Sequence, residues 1–205
     1  MASSQARDRL LAAAVDQARR GGIGDLSLRE LAAAIGTSHR MLLYHFGSRE
    51  GLLTAVARAV DEAERSAQQL SWAVTPDGAR QFWRRVSDPQ MWPAERLFFE
   101  LYVQSLLGRP GTEGFAREAV TSWTGPVAAA LEEAGLDPRT AQAEARLGLA
   151  VFRGLLLDLL ATGDHEGILA AHEQYLSHYT PAGDAARPAT GAPAATGHSP
   201  ADNGH

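Results

Sequence analysis

Leu10, Leu11, Ala14, Val15 and Ala18 recur at the spacing of one helical face, and Gly21-Gly22 supplies the left-handed residue that ends such a helix. The next run, "DLSLRELAAAIG", sets Ser27 and Glu30 as a capping box ahead of an apolar face of Leu28, Leu31, Ala32 and Ile35, and stops at Gly36. Ser38 is placed to cap a third, short helix reaching about Phe46. Gly47-Ser48 closes it and caps a long fourth helix whose buried stripe is Leu52, Leu53, Val56 and Val60. A second and third helix joined by a tight Gly-containing turn form a helix-turn-helix.

Beyond residue 70 the pattern predicts helices over about 76–87, 94–108, 113–134, 138–162 and 165–178, with Pro76, Pro93, Pro110 and Pro138 near their starts or between them. No window alternates convincingly with period two, so the expected fold class is all-α. From Pro181 the chain is small, Pro- and Gly-rich and almost free of large apolar side chains, the composition of a disordered tail. The expected organisation is a three-helix helix-turn-helix domain over 1–47, a larger helical domain over 48–180 and a tail over 181–205.

Composition changes this picture in two places. The 205 residues contain no cysteine, which removes disulfides, thiolate nucleophiles and Cys-ligated zinc and suits a reducing cytoplasm. Neither a signal-peptide core in the arginine-bearing N-terminus nor a long apolar run occurs, so a soluble, cytoplasmic protein is expected. The net charge of −5 argues weakly against nucleic acid until it is divided along the chain. Residues 1–49 carry seven arginines against four acids, whereas residues 50–180 carry eleven against eighteen. The positive part of the chain is the segment that holds the short helices.

At about 100° per residue, Leu42 and Phe46 of the third helix share its inward face. Arg40 and Tyr44 then fall side by side on the opposite face, flanked by His39, Met41, Leu43 and His45. The second helix of a helix-turn-helix enters the DNA major groove with its first residues against base edges. Arg40 can reach guanine O6 and N7, His39 can donate or accept, and Met41 or Leu43 can touch a thymine methyl. Tyr44 and His45 suit phosphates, and Arg49, in the first turn of the next helix, would strengthen an anion site there.

The stretch "LSLRELAAAIGTSHRMLLYHFGSREGLL" also resembles the N-terminal motif of the tetracycline-repressor (TetR) family of regulators. That motif runs as Thr or Ser, apolar, x, acidic, apolar, Ala, then Ala-Gly-Val-Ser, Leu-Tyr-x-His-Phe and Ser-Lys-Glu, and the match covers about residues 5–55. Arg49 replaces the usual lysine, Ile35 and Thr37 depart from common choices, and tyrosine is shifted by one place, Leu43 standing where the family most often has it and Tyr44 following. The resemblance implies DNA contacts from Arg29, His39, Arg40, Met41, Tyr44, His45 and Arg49, and Ser38 joins them as the capping residue at the reading end.

The same resemblance implies an effector pocket in the larger domain, and a dimer made by pairing the last two helices, about 138–162 and 165–178, with their copies. Aromatic residues concentrate where such a pocket would lie: Trp72, Phe82, Trp83, Trp92, Phe98, Phe99, Tyr102, Trp123 and, further on, Phe152 are the candidate ligand-binding residues, suited to a largely apolar small molecule. Glu100, Gln104 and Arg153 are candidates for its polar lining, although Arg153 and Asp158 can instead form a buried pair. The segment "ARLGLAVFRGLLLDLLATGD" is apolar nearly all round and must be covered on more than one side. His165, His172 and His178 lack the spacing by which one helical face supplies two metal ligands, so no metal and no cofactor are expected.

The expected function is a homodimeric repressor that binds double-stranded DNA at a palindromic operator and is released by a small-molecule effector. An activator of the same fold, or a regulator without ligand, is the alternative. An all-α enzyme using the aromatic cavity, or a helical adaptor, stands further off, because no nucleophile–base pair or phosphate loop is visible.

Overall fold

The protein was described by a computed structural model covering residues 2–67 and 75–178. The expected tail and Trp72 lie outside the described residues. Nine helices follow one another within them: α1 (Ala2–Gly21), α2 (Leu28–Ala34), α3 (His39–Phe46), α4 (Arg49–Ala67), α5 (Pro76–Val86), α6 (Trp92–Leu106), α7 (Phe115–Glu133), α8 (Pro138–Thr162) and α9 (His165–Ser177). No strand occurs among the described residues, so the fold is all-α.

Local chemistry sets the helix ends. The Ser27 hydroxyl accepts from the Glu30 N–H at 3.3 Å while Glu30 Oε2 accepts from the Ser27 N–H at 2.8 Å, closing the box that starts α2. Gly36, at φ 71°, turns the chain so that the Thr37 N–H reaches the Ala32 carbonyl at 2.8 Å, and Ser38 Oγ then accepts from the Met41 N–H at 3.2 Å to begin α3. Asp137 and Asp164 cap α8 and α9 in the same manner. Proline behaves less simply: α6 starts at Trp92 with Pro93 inside its first turn, and α7 runs straight through Pro126. The flanking Thr121 and Thr124 hydroxyls donate to the carbonyls of Arg117 and Val120, at 3.2 and 3.1 Å.

Packing builds two main cores with α6 between them. The first gathers Ala14 and Ala18 of α1, Leu31 of α2, Leu42 of α3 and Leu52, Leu53 and Val56 of α4, together with Leu97 and Leu101 of α6 and Phe115 of α7. This core continues across residues 47 and 48, so the helix-turn-helix is welded to the helices behind it. The second joins Phe82, Trp83 and Val86 of α5, Trp123 of α7, Leu149, Leu156 and Leu159 of α8 and Ile168 of α9, with Phe99 of α6 packed on its edge. One face of α6 therefore belongs to the helix-turn-helix core and the other to the second core. α8 is buried on a single side, and Leu147, Ala150, Gly154, Leu157 and Ala161 form an exposed stripe along the other.

Candidate nucleic-acid interface and internal cavity

α3 projects from the first core with Leu42 fully buried and Phe46 half-buried beneath the Arg7 guanidinium, 5.2 Å from the ring centroid. Its other side is open: Ser38, His39, Arg40 and Met41 are exposed, and Tyr44 is 72% exposed. Leu43 is also exposed, as is Arg29 on α2. The structure thus brings the first residues of α3 and the side chains of Arg40 and Tyr44 onto one solvent-facing surface.

Two expected phosphate contacts sit differently. The Arg49 Nε donates to the Leu26 carbonyl at 2.8 Å and its Nη2 to the Gly24 carbonyl, so the guanidinium straps the α1–α2 loop to the start of α4 instead of standing free. His45 is half-buried, edge-on to Tyr44 with ring centroids 4.9 Å apart, and its Nε2 is enclosed without a hydrogen bond. Both side chains are engaged within the protein, Arg49 with the α1–α2 loop and His45 against Tyr44. His45 lies on a flank of α3, where periodicity cannot separate these uses, but Arg49 falls on the same face of α4 as Leu52, Leu53 and Val56, a signal the sequence did hold.

Behind α3, the α6–α7 loop rests on the first turn of α4. The Thr54 hydroxyl donates to the Gly111 carbonyl at 2.8 Å, and Arg58 donates to the Glu113 carbonyl at 3.2 Å and to Glu118 at 2.6 Å. Gly111 has φ 86°, and a Cβ there would lie 2.9 Å from the Glu50 Cβ and 3.1 Å from the Gly51 nitrogen. Gly111→Ala is accordingly expected to destabilise the fold by about 1–3 kcal/mol through backbone strain and overpacking. A urea midpoint equal to that of the parent would show that the loop is not seated in this way.

The second core is hollow beside α4. Phe82 and Val86 (α5), Phe98 and Phe99 (α6), Trp123 (α7) and Phe152 and Leu156 (α8) wall a cavity of about 550 Å³ of atom-free space, mouth included. Phe82 and Phe152, their ring centroids 4.8 Å apart, also line a second cavity, which holds His172, Tyr175 and Glu144. Five of the expected ligand-binding aromatics therefore line a cavity.

Trp83, Trp92 and Tyr102 do not line either cavity. Trp83 stacks on His172 at 5.1 Å; Trp92 stacks on His165 at 5.4 Å while its Nε1 donates to the Ser87 carbonyl at 3.2 Å. Tyr102 lies beneath the Arg153 guanidinium, 5.4 Å from its ring.

The polar lining also differs from expectation. Gln104 donates to Glu100 at 2.9 Å on the outer side of α6, and Asp158 is exposed, so it forms no buried pair with Arg153. Arg153 does face the cavity, where its Nη2 donates to the Ala119 carbonyl at 2.6 Å. The remaining charged groups of the wall are Asp61, Glu64 and Glu95. Asp61 accepts from Trp123 Nε1 at 2.7 Å, and burial pushes its carboxyl above the usual range. Burial, with Glu64 and Asp61 nearby, pushes Glu95 up to about 8. Two of these acids had a signal in the sequence: Asp61 and Glu64 continue the inward stripe of Val56, Ala57 and Val60 at helical spacing.

Among the described residues no helix is long and apolar enough to cross a membrane, and no group of three or more His, Asp or Glu is placed to hold a metal ion.

Residues 10–56 match the model of the bacterial regulatory proteins of the tetR family. The HTH-type transcriptional regulatory protein RaaS of Mycobacterium tuberculosis is 33% identical over 98 residues, a match spanning 48% of this chain and 40% of that protein's length. The multidrug binding protein EbrR, solved in complex with imidazole, superposes with a TM-score of 0.62 at 26% identity, over 91% of this chain and 93% of that one. A transcriptional regulator from Rhodococcus sp. Rha1 superposes with a TM-score of 0.64 at 20% identity, over 83% of this chain and 94% of that one, and shares the fold. The family matched by residues 10–56 is one of transcription factors and not of enzymes. The exposed α3, the helices packed behind it and the matched N-terminal segment agree: residues 10–56 form a helix-turn-helix of the kind the tetR-family model describes, on a chain with the fold of transcriptional regulators, and these findings support a tetR-type transcription regulator.

Proposed function

We propose that the protein is a homodimeric repressor that reads a near-palindromic operator with α3 and is released when a small molecule fills the cavity beside α4. The observation that carries this reading is the division of labour on α6, whose Leu97 and Leu101 belong to the helix-turn-helix core while Glu95, Phe98 and Phe99 line the cavity. A ligand that moves this wall moves a helix to which α1 and α4 are packed. To change occupancy of the operator usefully, it must favour the released arrangement by about 1–3 kcal/mol.

Dimerisation is supported by the exposed stripe of α8 and by Leu169, exposed on α9, which leave an apolar face uncovered in one chain. Two copies of α3 one DNA turn apart, roughly 34–36 Å, would meet two half-sites. DNA contact is assigned to Arg29, Ser38, His39, Arg40, Met41 and Tyr44, with Arg49 and His45 supporting them from behind.

The test is a gel shift with DNA from upstream of the protein's own coding region, in parallel with random DNA and over a range of salt. Sequence-selective, salt-sensitive binding is expected. In the same assay Arg40→Ala should reduce discrimination between the two DNAs by about 1–3 kcal/mol, the range for a bidentate contact to guanine. Equal losses on both DNAs would make Arg40 a phosphate ligand, and absence of selective binding by the parent protein would remove the proposal.

A further inference from the structure

The wall of the α4–α8 cavity is aromatic, yet its charge is mainly negative. Two of the three carboxylates have partners. Asp61 holds the Trp123 N–H, and Glu64, 5% exposed, is met from the surface by Arg85, whose Nη2 donates to Oε1 at 3.3 Å. The other Glu64 oxygen, Oε2, lies 2.8 Å from Arg85 Nε but is buried without a directed hydrogen bond. Glu95, half-buried on α6 and part of the cavity wall, has neither a hydrogen bond nor an ion pair among the described residues. Arg153, the one cation on the wall, has its guanidinium over the rings of Phe98 and Tyr102, at 5.2 and 5.4 Å, and donates to Ala119; it acts on Glu95 through space without touching it.

An unpaired carboxyl set in the wall of an aromatic cavity is a place prepared for a positive charge. A neutral apolar molecule would gain only burial, and an anion would face Asp61 and Glu64. A cation gains the carboxylates at low dielectric and the faces of the aromatic rings. We propose that this cavity takes an organic monocation with an apolar body, whose charge is met by the Glu95 carboxylate. The inference rests on the effector reading above and replaces the largely apolar molecule expected from the aromatic residues alone.

The proposal has a proton balance. Glu95 is protonated at neutral pH in the empty cavity; as the cation enters, the carboxyl O–H bond breaks, the proton leaves to bulk water and the carboxylate pairs with the ligand. No electrons are exchanged. The groups facing Glu95 are Asp61 and Glu64 on α4 and Arg153 on α8, with Arg85 of α5 behind Glu64, Arg65 behind Asp61, and Tyr102 beside Arg153. Of these, Asp61 is the other group whose carboxyl is raised, so the test must separate the two.

The experiment is titration calorimetry of the full chain at several pH values, in buffers of different ionisation enthalpy. The probes are benzyltrimethylammonium, its neutral isostere neopentylbenzene and the anion benzylsulfonate. The cation is expected to bind at least about tenfold tighter than the neutral probe at pH 8, with close to one proton released per site at pH 7, and its affinity should rise up to about tenfold per pH unit until it levels above about 8. Glu95→Gln, its fold checked by thermal melting, should abolish the proton release and lower cation affinity by about tenfold or more while the neutral probe binds as before; Asp61→Asn should keep the release. Equal affinity for cation and neutral probe, no heat with the cation, or proton release that survives Glu95→Gln would each overturn the proposal. Gel shifts on the same samples keep the two readings apart. A neutral compound that binds the cavity and releases DNA, where the cation does not bind, would overturn the cation and leave the effector reading standing. A cation that binds with proton release yet leaves the protein–DNA complex intact would uphold the cation and overturn the effector reading.

Discussion

Glu95→Gln is expected to make the protein more stable at neutral pH, by on the order of 3 kcal/mol at pH 7, and to have little effect near pH 4. The folded carboxyl is raised from 4.5 to about 8, chiefly by burial and secondarily by the negative charges of Glu64 and Asp61. Below 4.5 both folded and unfolded chains hold the proton, and Glu95 costs nothing through ionisation. As pH rises from 4.5 towards 8, the unfolded chain ionises freely while the folded one does not, and stability drains away across that window. Glutamine, similar in shape and always neutral, does not lose it. Urea melts of the two proteins between pH 4 and pH 9 should therefore diverge with rising pH, the substituted protein lying above its parent. Parallel curves would mean that the carboxyl is hydrated or paired in the folded state. The destabilisation of a regulator by one of its own residues is what a binding site of this kind entails, since a cation would restore what the unpaired acid forfeits.

How far the sequence exposed this arrangement depended on the range of the interactions involved. Capping is local, so Ser27 with Glu30, Ser38 and Gly47 delimited α2 and α3 from the residues alone, and the split of α3 into a Leu42 side and an Arg40–Tyr44 side followed from its period. The aromatic wall was legible as composition, but not as geometry. Trp83 and Trp92 are as aromatic as Trp123, and only the placement of His172, His165 and Asp61 decides which rings stack on an imidazole and which face the cavity. Glu95 was hidden for a different reason. An acid just after a proline in the first turn of a helix has an ordinary explanation in the helix dipole, and nothing nearby in sequence reveals that α4 and α8 close over it. Arg49 was half legible: its place on the Leu52, Leu53 and Val56 face of α4 follows from the period, while the carbonyls that take its guanidinium come from residues 24 and 26, a whole helix pair away along the chain.

Leu42→Ala is expected to destabilise the protein by about 2–5 kcal/mol and to abolish selective DNA binding, although residue 42 touches no DNA in the proposed complex. α3 is eight residues long, too short to persist by itself in water, and its Ser38 cap is worth only about 1 kcal/mol. What holds it is the insertion of Leu42 into the core of α1, α2 and α4, with Phe46 half-buried beside it. Truncation at position 42 leaves a void at the centre of that contact and frees the helix to fray, carrying Arg40 and Tyr44 with it. Tyr44→Ala is the matching control: a side chain 72% exposed should leave the urea midpoint within about 0.5 kcal/mol of the parent while weakening DNA binding. If both substitutions lowered stability equally, Tyr44 would be part of the core and not of the reading face. If Leu42→Ala left both stability and selectivity intact, α3 would be held by contacts other than those of its inward side, and the positioning of the reading surface by that single leucine would be wrong.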